Sequence, residues 1–209
     1  MFKAKVRATL LALVLPLLLN ATHILKDDIL KIEASQLINE MGDELFSKTG
    51  INGYIIATNE HFPVGYNLVE YSKKYEAHMS KPYVLFIFAP QARITEELET
   101  KGRVGLIPSS DEVRKLYDYN KVRDAGIDVV AAKDSNEDED KHNIGVLQAF
   151  SELADNIAES KGVELTKTIP NDTEVMVWVL RIIIYIGAIL VLWIFAIRPR
   201  YMRMKNGRK

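Results

Sequence analysis

The sequence predicts an α/β sandwich, in which a small central mixed sheet has helices on both faces, plus an N-terminal signal segment and one C-terminal transmembrane helix. Three observations lead to this expectation: helical and strand patterns alternate along the middle of the chain, two apolar stretches lie near its ends, and charge is sorted between these regions. The chain has 209 residues and no cysteine. This length allows one domain with accessory segments, and the composition excludes a thiolate metal site, a disulfide framework and a cysteine nucleophile.

The first apolar stretch covers residues 8–19 and follows three basic residues, Lys3, Lys5 and Arg7. A helix of this length reaches only ~18 Å, which is too short for a hydrocarbon core of ~30 Å. A basic start, a short apolar segment and a small residue at Ala21 are typical of a secretory signal. We therefore expect residues 1–21 to be a signal peptide or an uncleaved signal anchor.

The second apolar stretch covers residues 175–197 and contains a single charge, Arg181. As a helix it would reach ~34 Å, which is enough to span a bilayer with some tilt. The tail at 198–209 has six basic residues and no acidic one, so the positive-inside tendency places it in the cytoplasm. Because the signal also begins in the cytoplasm, the middle of the chain is expected outside, in the periplasm of a bacterial cell.

These signals divide the chain into five parts. They also predict the bacterial inner membrane as one partner. We expect the signal segment, a periplasmic domain over residues 22–165, a linker over 166–174, the membrane helix and the cytoplasmic tail. Residues 22–174 contain 28 acidic and 17 basic residues, a net charge of −11. Nucleic acid is disfavoured as a partner, because this charge repels phosphate.

The first half of the domain contains two helical patterns and one strand pattern. Ser35 is a suitable N-cap, and Gly50 predicts the end of the helix that follows. Residues 53–58 predict a short buried strand, and apolar residues recurring between 68 and 79 predict a second helix that ends before Pro82. The residues expected to face inward from these helices are Leu37, Ile38, Met41, Leu45, Phe46, Leu68, Tyr71, Tyr75 and Met79.

The second half begins with an unbroken apolar run at residues 83–89, which predicts a central strand buried on both faces. Residues 103–107 predict its neighbour, and Ser110 predicts the cap of another helix. We also expect a strand over 127–132 and an amphipathic helix over 143–161. The inward residues of these two helices are expected to be Val113, Leu116, Tyr117, Ile144, Leu147, Phe150, Ala154 and Ile157, with Gly162 as the final stop.

This order of elements resembles the TPM-domain family. The matching features are the helix ending at Gly50, the strands at 53–58 and 83–89, and the last helix entered through residues 141–145. The resemblance covers roughly residues 27–162. A glycine-rich turn often follows the third strand in that family, whereas this chain has one glycine there, Gly105. The resemblance implies an extracytoplasmic α/β domain behind a signal peptide and tethered by a C-terminal membrane helix.

An acidic loop at residues 134–140 is the candidate metal site. Oxygen-bearing side chains at Asp134, Asn136 and Asp138 follow the opening of a calcium loop, and Asp140 adds another carboxylate. The loop lacks the glycine and the bidentate glutamate of an EF-hand, so it predicts at most a weak Ca²⁺ or Mg²⁺ site. The resemblance points the same way, because some TPM domains hold divalent cations near acidic loops. A solvated loop ahead of a helix N-terminus is the alternative interpretation.

The remaining chemistry-bearing residues form no recognisable motif. The four histidines form no zinc pair, and His61 follows a predicted strand but is expected to be a solvated loop residue. Tyrosines cluster around the second predicted helix and the one capped by Ser110, where they serve either as core or as a surface for a partner. These tyrosines are Tyr66, Tyr71, Tyr75, Tyr117 and Tyr119.

Two functions follow as hypotheses. The first is a non-enzymatic periplasmic domain, tethered to the inner membrane, that binds or supports a membrane or periplasmic protein complex. The resemblance implies a role of this general kind, since family members have been linked to photosystem II repair and to modulation of membrane proteins. The alternative is a weak phosphatase dependent on a divalent metal, an activity that has been reported for some TPM domains.

Overall fold

The computed structural model describes residues 22–96, 101–133, 135–169 and 172–198, without the side chains of 172–178 and 196. The signal segment at 1–21 and the tail from residue 199 lie outside the described residues. The chain divides into two compact units, Met1–Ile169 and Pro170–Lys209.

The first unit is built around one mixed sheet of four strands in the order β1-β2-β3-β4. β1 pairs in parallel with β2, β2 pairs in parallel with β3, and β3 pairs antiparallel with β4. The strands predicted at 53–58, 83–89 and 103–107 are confirmed, whereas β1 was not predicted. The bounds are Ile24–Asp27 for β1, Asn52–Ala57 for β2, Tyr83–Arg93 for β3 and Lys101–Pro108 for β4.

Helices cover both faces of this sheet, as the sequence predicts for an α/β fold. The long helices α1, α4 and α5 share one core with the sheet, and α2 with a following 3-10 helix contributes to a second core on the other face. The bounds are Ile32–Thr49 for α1, Leu68–Ser72 for α2, Lys73–His78 for the 3-10 helix, Asp111–Arg114 for α3, Tyr119–Ala131 for α4 and Asp138–Ser160 for α5.

The apolar run of β3 explains why this strand lies between two cores. Phe86 and its alternate neighbours belong to the core beneath α1 and α5, whereas Leu85 and Ile87 belong to the opposite core. All three side chains are fully buried. Burying an aliphatic or aromatic side chain of this size contributes ~1.5–3 kcal/mol, so this strand anchors both layers.

The first helix differs from its prediction in cap and in face. α1 begins at Ile32, and Ser35 donates a hydrogen bond to Asp27 Oδ2 over 3.0 Å instead of capping the helix. Leu37 and Phe46 are exposed, so their predicted inward placement was wrong, while Ile38, Met41 and Leu45 are buried as expected. Periodicity indicates an apolar stripe but not which edge of it packs against the sheet. The helix ends at Gly50 in the left-handed conformation, as predicted.

The strand predicted at residues 127–132 was wrong, because this segment belongs to α4. Asp118 begins the helix: its Oδ1 accepts from the backbone N–H of Asn120 at 2.8 Å and of Lys121 at 3.3 Å. The buried residues Val122 and Gly126 then lie one helical turn apart. A short apolar run cannot distinguish a strand from a helix segment by period alone.

The long helix α5 begins earlier than residue 143, at Asp138. Its first turn has three acidic residues, which the helix dipole favours at this end. Phe150, Ala154 and Ile157 are buried as predicted, but Ile144 is exposed. Gly162 follows the helix with a positive φ of 69°, which fits its predicted role as a stop.

The second unit contains α6, Asp172–Leu192, which continues into one π-helical turn, Trp193–Ile197. Among the described residues, no helix has the combined length and apolar character that crossing a membrane requires. The predicted span at 175–197 includes side chains outside that set, at 175–178 and 196. The described side chains from Val179 to Leu192 are all exposed.

Candidate functional site

The edge of the sheet at which the parallel strands end is the candidate site. β1, β2 and β3 run in the same direction, so their carboxyl ends meet at one edge. In open α/β sheets, ligands bind outside this edge. The loops that leave it here, at residues 28–31 and 58–67, have charged and aromatic side chains.

Glu60 is the centre of an ion-pair network at this edge. Its Oε1 accepts from Lys26 Nζ and, over 2.7 Å, from the hydroxyl of Tyr71. Lys74 Nζ lies 3.8 Å from the same oxygen and 3.7 Å above the Tyr71 ring. The hydrogen bond from Lys26, aided by the one from Tyr71, lowers the pKa of the Glu60 carboxyl against the opposing effect of burial. This carboxylate is therefore ionised and paired at neutral pH.

Asp28 extends the network to the end of β2. Its Oδ2 lies 3.1 Å from Lys26 Nζ and accepts from the hydroxyl of Thr58 at 2.9 Å and the backbone N–H of Asn59 at 3.2 Å. Burial opposes ionisation of Asp28, but the hydrogen bonds from Lys26, Thr58 and Asn59 outweigh it and lower the pKa. The network therefore joins the first residues after β1 to the loop after β2.

Tyr71 completes the network as a neutral donor. Burial raises the pKa of its hydroxyl, and the hydrogen bonds with Tyr75 and Glu60 raise it further. The phenol therefore remains protonated at every physiological pH. Since each carboxylate of the network has a cationic or hydroxyl partner, the arrangement orders the edge of the sheet and its loops.

The loop after β2 is held rigidly on this network. Phe62 is buried, its carbonyl accepts from Arg93 N over 2.9 Å, and its ring stacks on Tyr66 at 4.9 Å. Arg103 Nη1 donates to the Tyr66 carbonyl over 2.7 Å. The Asn67 side chain caps α2 by accepting from the backbone N–H of Val69 at 2.9 Å. These anchors fix the backbone of the loop from both sides.

Three apolar side chains of this rigid loop and of α2 face solvent. Val64 is 37% exposed, Tyr66 is 38% exposed and Val69 is 50% exposed. Apolar groups on a preorganised backbone are a feature of interaction surfaces, because little conformational entropy is lost when they are covered. We refer to Val64, Tyr66 and Val69 as the loop patch.

The residues predicted as metal ligands are only partly brought together. Asp134 lies outside the described residues, Asn136 precedes α5, and Asp138 is in the first turn of that helix. Asp140 forms an ion pair with Lys31 of the β1–α1 loop. Across the described ranges, no three histidine, aspartate or glutamate side chains are placed to hold a metal ion together. The Ca²⁺ or Mg²⁺ site stays a prediction.

Asn143 gives this end of α5 a structural role at the same edge. Its Oδ1 accepts from Lys31 N at 2.6 Å, and its Nδ2 donates to the carbonyls of Ile29 at 3.1 Å and Glu139 at 2.9 Å. The side chain is buried. The Asn143 side chain therefore supplies hydrogen-bond partners to the backbone of the loop that links β1 to α1. Buried polar groups require such partners.

The sequence predicts that His61 of this loop is a solvated residue, and its side chain is exposed as expected. The adjacent Glu60, which forms the centre of the network, was not predicted. The position of Glu60 just after a strand was an available signal, but its partners Lys26 and Tyr71 are distant in sequence. No known protein family matches the chain, and no curated protein matches it either.

Proposed function

We propose that this chain is a membrane-tethered periplasmic protein whose α/β domain binds a protein partner through the loop patch, in support of a membrane or periplasmic complex. The apolar stretch at 175–197, the basic tail and the basic N-terminus support the tether and its orientation in a bacterial inner membrane. The order of strands and helices supports the resemblance to TPM domains, which include proteins of this kind.

The observation that carries the proposal is the rigidity of the exposed loop patch. Phe62, Arg103 and Asn67 fix its backbone, and the paired charges around Glu60 lie behind it. A tyrosine between two valines provides contact area with few rotatable bonds, which suits a protein interface. The carboxylates of Asp28 and Glu60 are paired with Lys26 at this edge, an arrangement that suits an ordered binding surface better than hydrolysis.

Site-specific photo-crosslinking of the full chain in cells tests the proposal. A photoreactive residue at Val64 should give a discrete crosslinked species, and Val69→Ser should reduce its yield severalfold because it removes apolar area from the same patch. The matched positions are Ile127 for the crosslinker and Ile127→Ser for the substitution, since Ile127 of α4 is similarly exposed at 41%. Equal crosslinking from Val64 and Ile127 would argue against the loop patch.

A further inference from the structure

A groove that shares no residue with the loop patch lies between the α3–α4 junction and the C-terminal end of α5. The groove has a volume of about 470 Å³, within the range of ligand sites. Val113 and Tyr117 of this region belong to the core shared with α1 and α5, on the face of the sheet opposite the core of α2. Its principal lining residues are Arg114, Lys115, Tyr117, Tyr119, Asn156 and Glu159.

Two cations of the groove have no carboxylate partner in the described part of the chain. Arg114 and Lys115 are both exposed, and neither is in an ion pair there. The surrounding domain is strongly acidic, with a net charge of −11 over residues 22–174. Two adjacent cations without a carboxylate partner among the described residues are therefore available to a ligand that carries negative charge.

The guanidinium of Arg114 is held in place by neighbouring groups. Its Nη1 donates to the carbonyl of Tyr117 over 3.3 Å. Its Cζ lies 5.1 Å from the ring centre of Tyr117 and 5.9 Å from that of Tyr119. Stacking on aromatic rings orients the planar fork while leaving N–H groups for a ligand. An oriented guanidinium is suited to pair with a carboxylate through two parallel hydrogen bonds.

Other lining groups restrict the class of ligand. Asp118 and Glu159 are also in the groove, and their negative charge disfavours a compact, doubly charged phosphate more than carboxylates that are spaced along an extended segment. Carboxylate oxygens at these positions can instead accept N–H groups of a peptide backbone. Arg114, Lys115, Asn120, Glu159 and Ser160 are all exposed, so the groove is open along its length. An enclosed site is usual for a small free ligand, whereas an open groove suits a chain segment.

We propose that this groove binds an acidic peptide segment of another protein. Arg114 pairs with one carboxylate side chain, Lys115 attracts a second, and the Tyr119 ring packs against the segment between them. This proposal does not depend on the loop patch, because the two surfaces share no residue.

Binding of a fluorescein-labelled peptide of six glutamates, with its ends blocked, to the full chain in detergent micelles tests this inference. We expect Arg114→Gln with Lys115→Gln to weaken binding by about tenfold or more, since two charge-assisted contacts are lost. Arg114→Lys should weaken it by about threefold, because the charge remains but the planar fork does not. The matched control is Lys81→Gln with Lys101→Gln, which removes the same charge from exposed positions elsewhere and should change affinity by less than about twofold.

Several outcomes would overturn the proposal. Equal weakening by the two double substitutions would show general attraction rather than a site. Equal binding of a peptide of six glutamines would show that carboxylates are not recognised. Displacement of the peptide by glutarate at the same carboxylate concentration would assign the groove to a free dicarboxylate instead of a peptide. Ionic strength is held constant throughout, because exposed charges are screened by salt.

Discussion

The carboxylate of Glu44 binds both the backbone and the side chain of Thr166, and so joins α1 to the segment that follows α5. Its two oxygens accept from Thr166 N at 3.0 and 2.9 Å, and one also accepts from the Thr166 hydroxyl at 2.9 Å. Lys167 N and Lys48 Nζ add bonds of 2.8 Å each. Ser151 accepts from Ile169 N at 2.6 Å. The first compact unit therefore extends to Ile169, into the region predicted as a linker.

This carboxylate makes the stability of the first unit depend on acid. Burial of Glu44 opposes ionisation, but hydrogen bonds from Lys48, Thr166 and Lys167 lower its pKa to about 2, from 4.5. A depressed folded-state pKa means that Glu44 contributes its full stability above the unfolded pKa of 4.5 and loses it as the pH falls towards 2. We expect Glu44→Gln to cost roughly 1–3 kcal/mol at pH 7 and progressively less below pH 4.5.

Urea unfolding in detergent between pH 7 and pH 2.5, monitored by the circular dichroism of the tyrosines, checks this pH dependence. Glu33→Gln is the control, because Glu33 is exposed in the first turn of the same helix and surface changes of this kind usually fall within ~0.5 kcal/mol. A difference between Glu44→Gln and the parent that is constant across this pH range would contradict the role assigned to the carboxylate.

The crossing of α4 over α5 predicts that a single methyl group at Gly145 destabilises the fold. A Cβ at this position would lie 2.9 Å from the carbonyl oxygen of Gly126 and 3.0 Å from Val130 Cγ2. The helices must separate to admit it, which we expect to cost ~1–3 kcal/mol. Gly187→Ala is the matched control, since a Cβ in α6 meets nothing within 4 Å. Thermal unfolding of both variants tests this prediction. If Gly145→Ala melts at the same temperature as the parent, the helices adjust freely to the added methyl group.

Two buried tyrosines predict opposite effects of removing a hydroxyl. The Tyr117 side chain is 6% exposed, and its hydroxyl has no hydrogen-bond partner within the described structure. Tyr117→Phe should leave stability unchanged or raise it by up to ~1–3 kcal/mol, because an unsatisfied buried group is removed. Tyr71→Phe deletes the 2.7 Å bond to Glu60 and should cost ~1.5–3 kcal/mol. Urea unfolding measures the free energy of unfolding of the two variants. The prediction is wrong if Tyr117→Phe is the more destabilising of the two.

The acidic loop predicts a modest response to calcium. Five carboxylates within residues 134–140 repel one another, and a divalent cation relieves that repulsion. At one to ten times a millimolar dissociation constant, linkage would add about 0.4–1.4 kcal/mol to the stability of the full chain. Asp134→Ala with Asn136→Ala and Asp138→Ala should abolish the rise in melting temperature. If calcium shifts parent and triple variant alike, the response is general screening.

The proposed orientation predicts the location of both ends of the tether. A reporter that works only in the periplasm should be active when fused in place of the chain after Ile169, and inactive when fused after Lys209. The reason is the excess of basic residues in the tail at 198–209. Activity measured in the reverse order would place the α/β domain in the cytoplasm and remove the periplasmic part of the proposal.

The sequence by itself determined those elements whose signals are local. The apolar run at 83–89 predicted an element buried on both sides, because no polar face is present along it, and its short length favoured a strand over a helix. Gly50 and Gly162 marked helix ends, since glycine adopts the left-handed conformation with the least steric strain. The two apolar stretches and the sorted charge likewise determined the proposed topology, because membrane signals reside in contiguous residues.

Only the tertiary structure decided features that join distant residues. β1 is four residues long and becomes a strand by pairing with β2, and residues 127–131 become helical as Gly126 packs on Gly145. The network around Glu60 joins residues from β1, the following loop and α2, and the groove at Arg114 needs the end of α5 beside it. Pattern and propensity report on neighbours along the chain, whereas these energies arise between side chains that meet only after the sheet and its helices have packed.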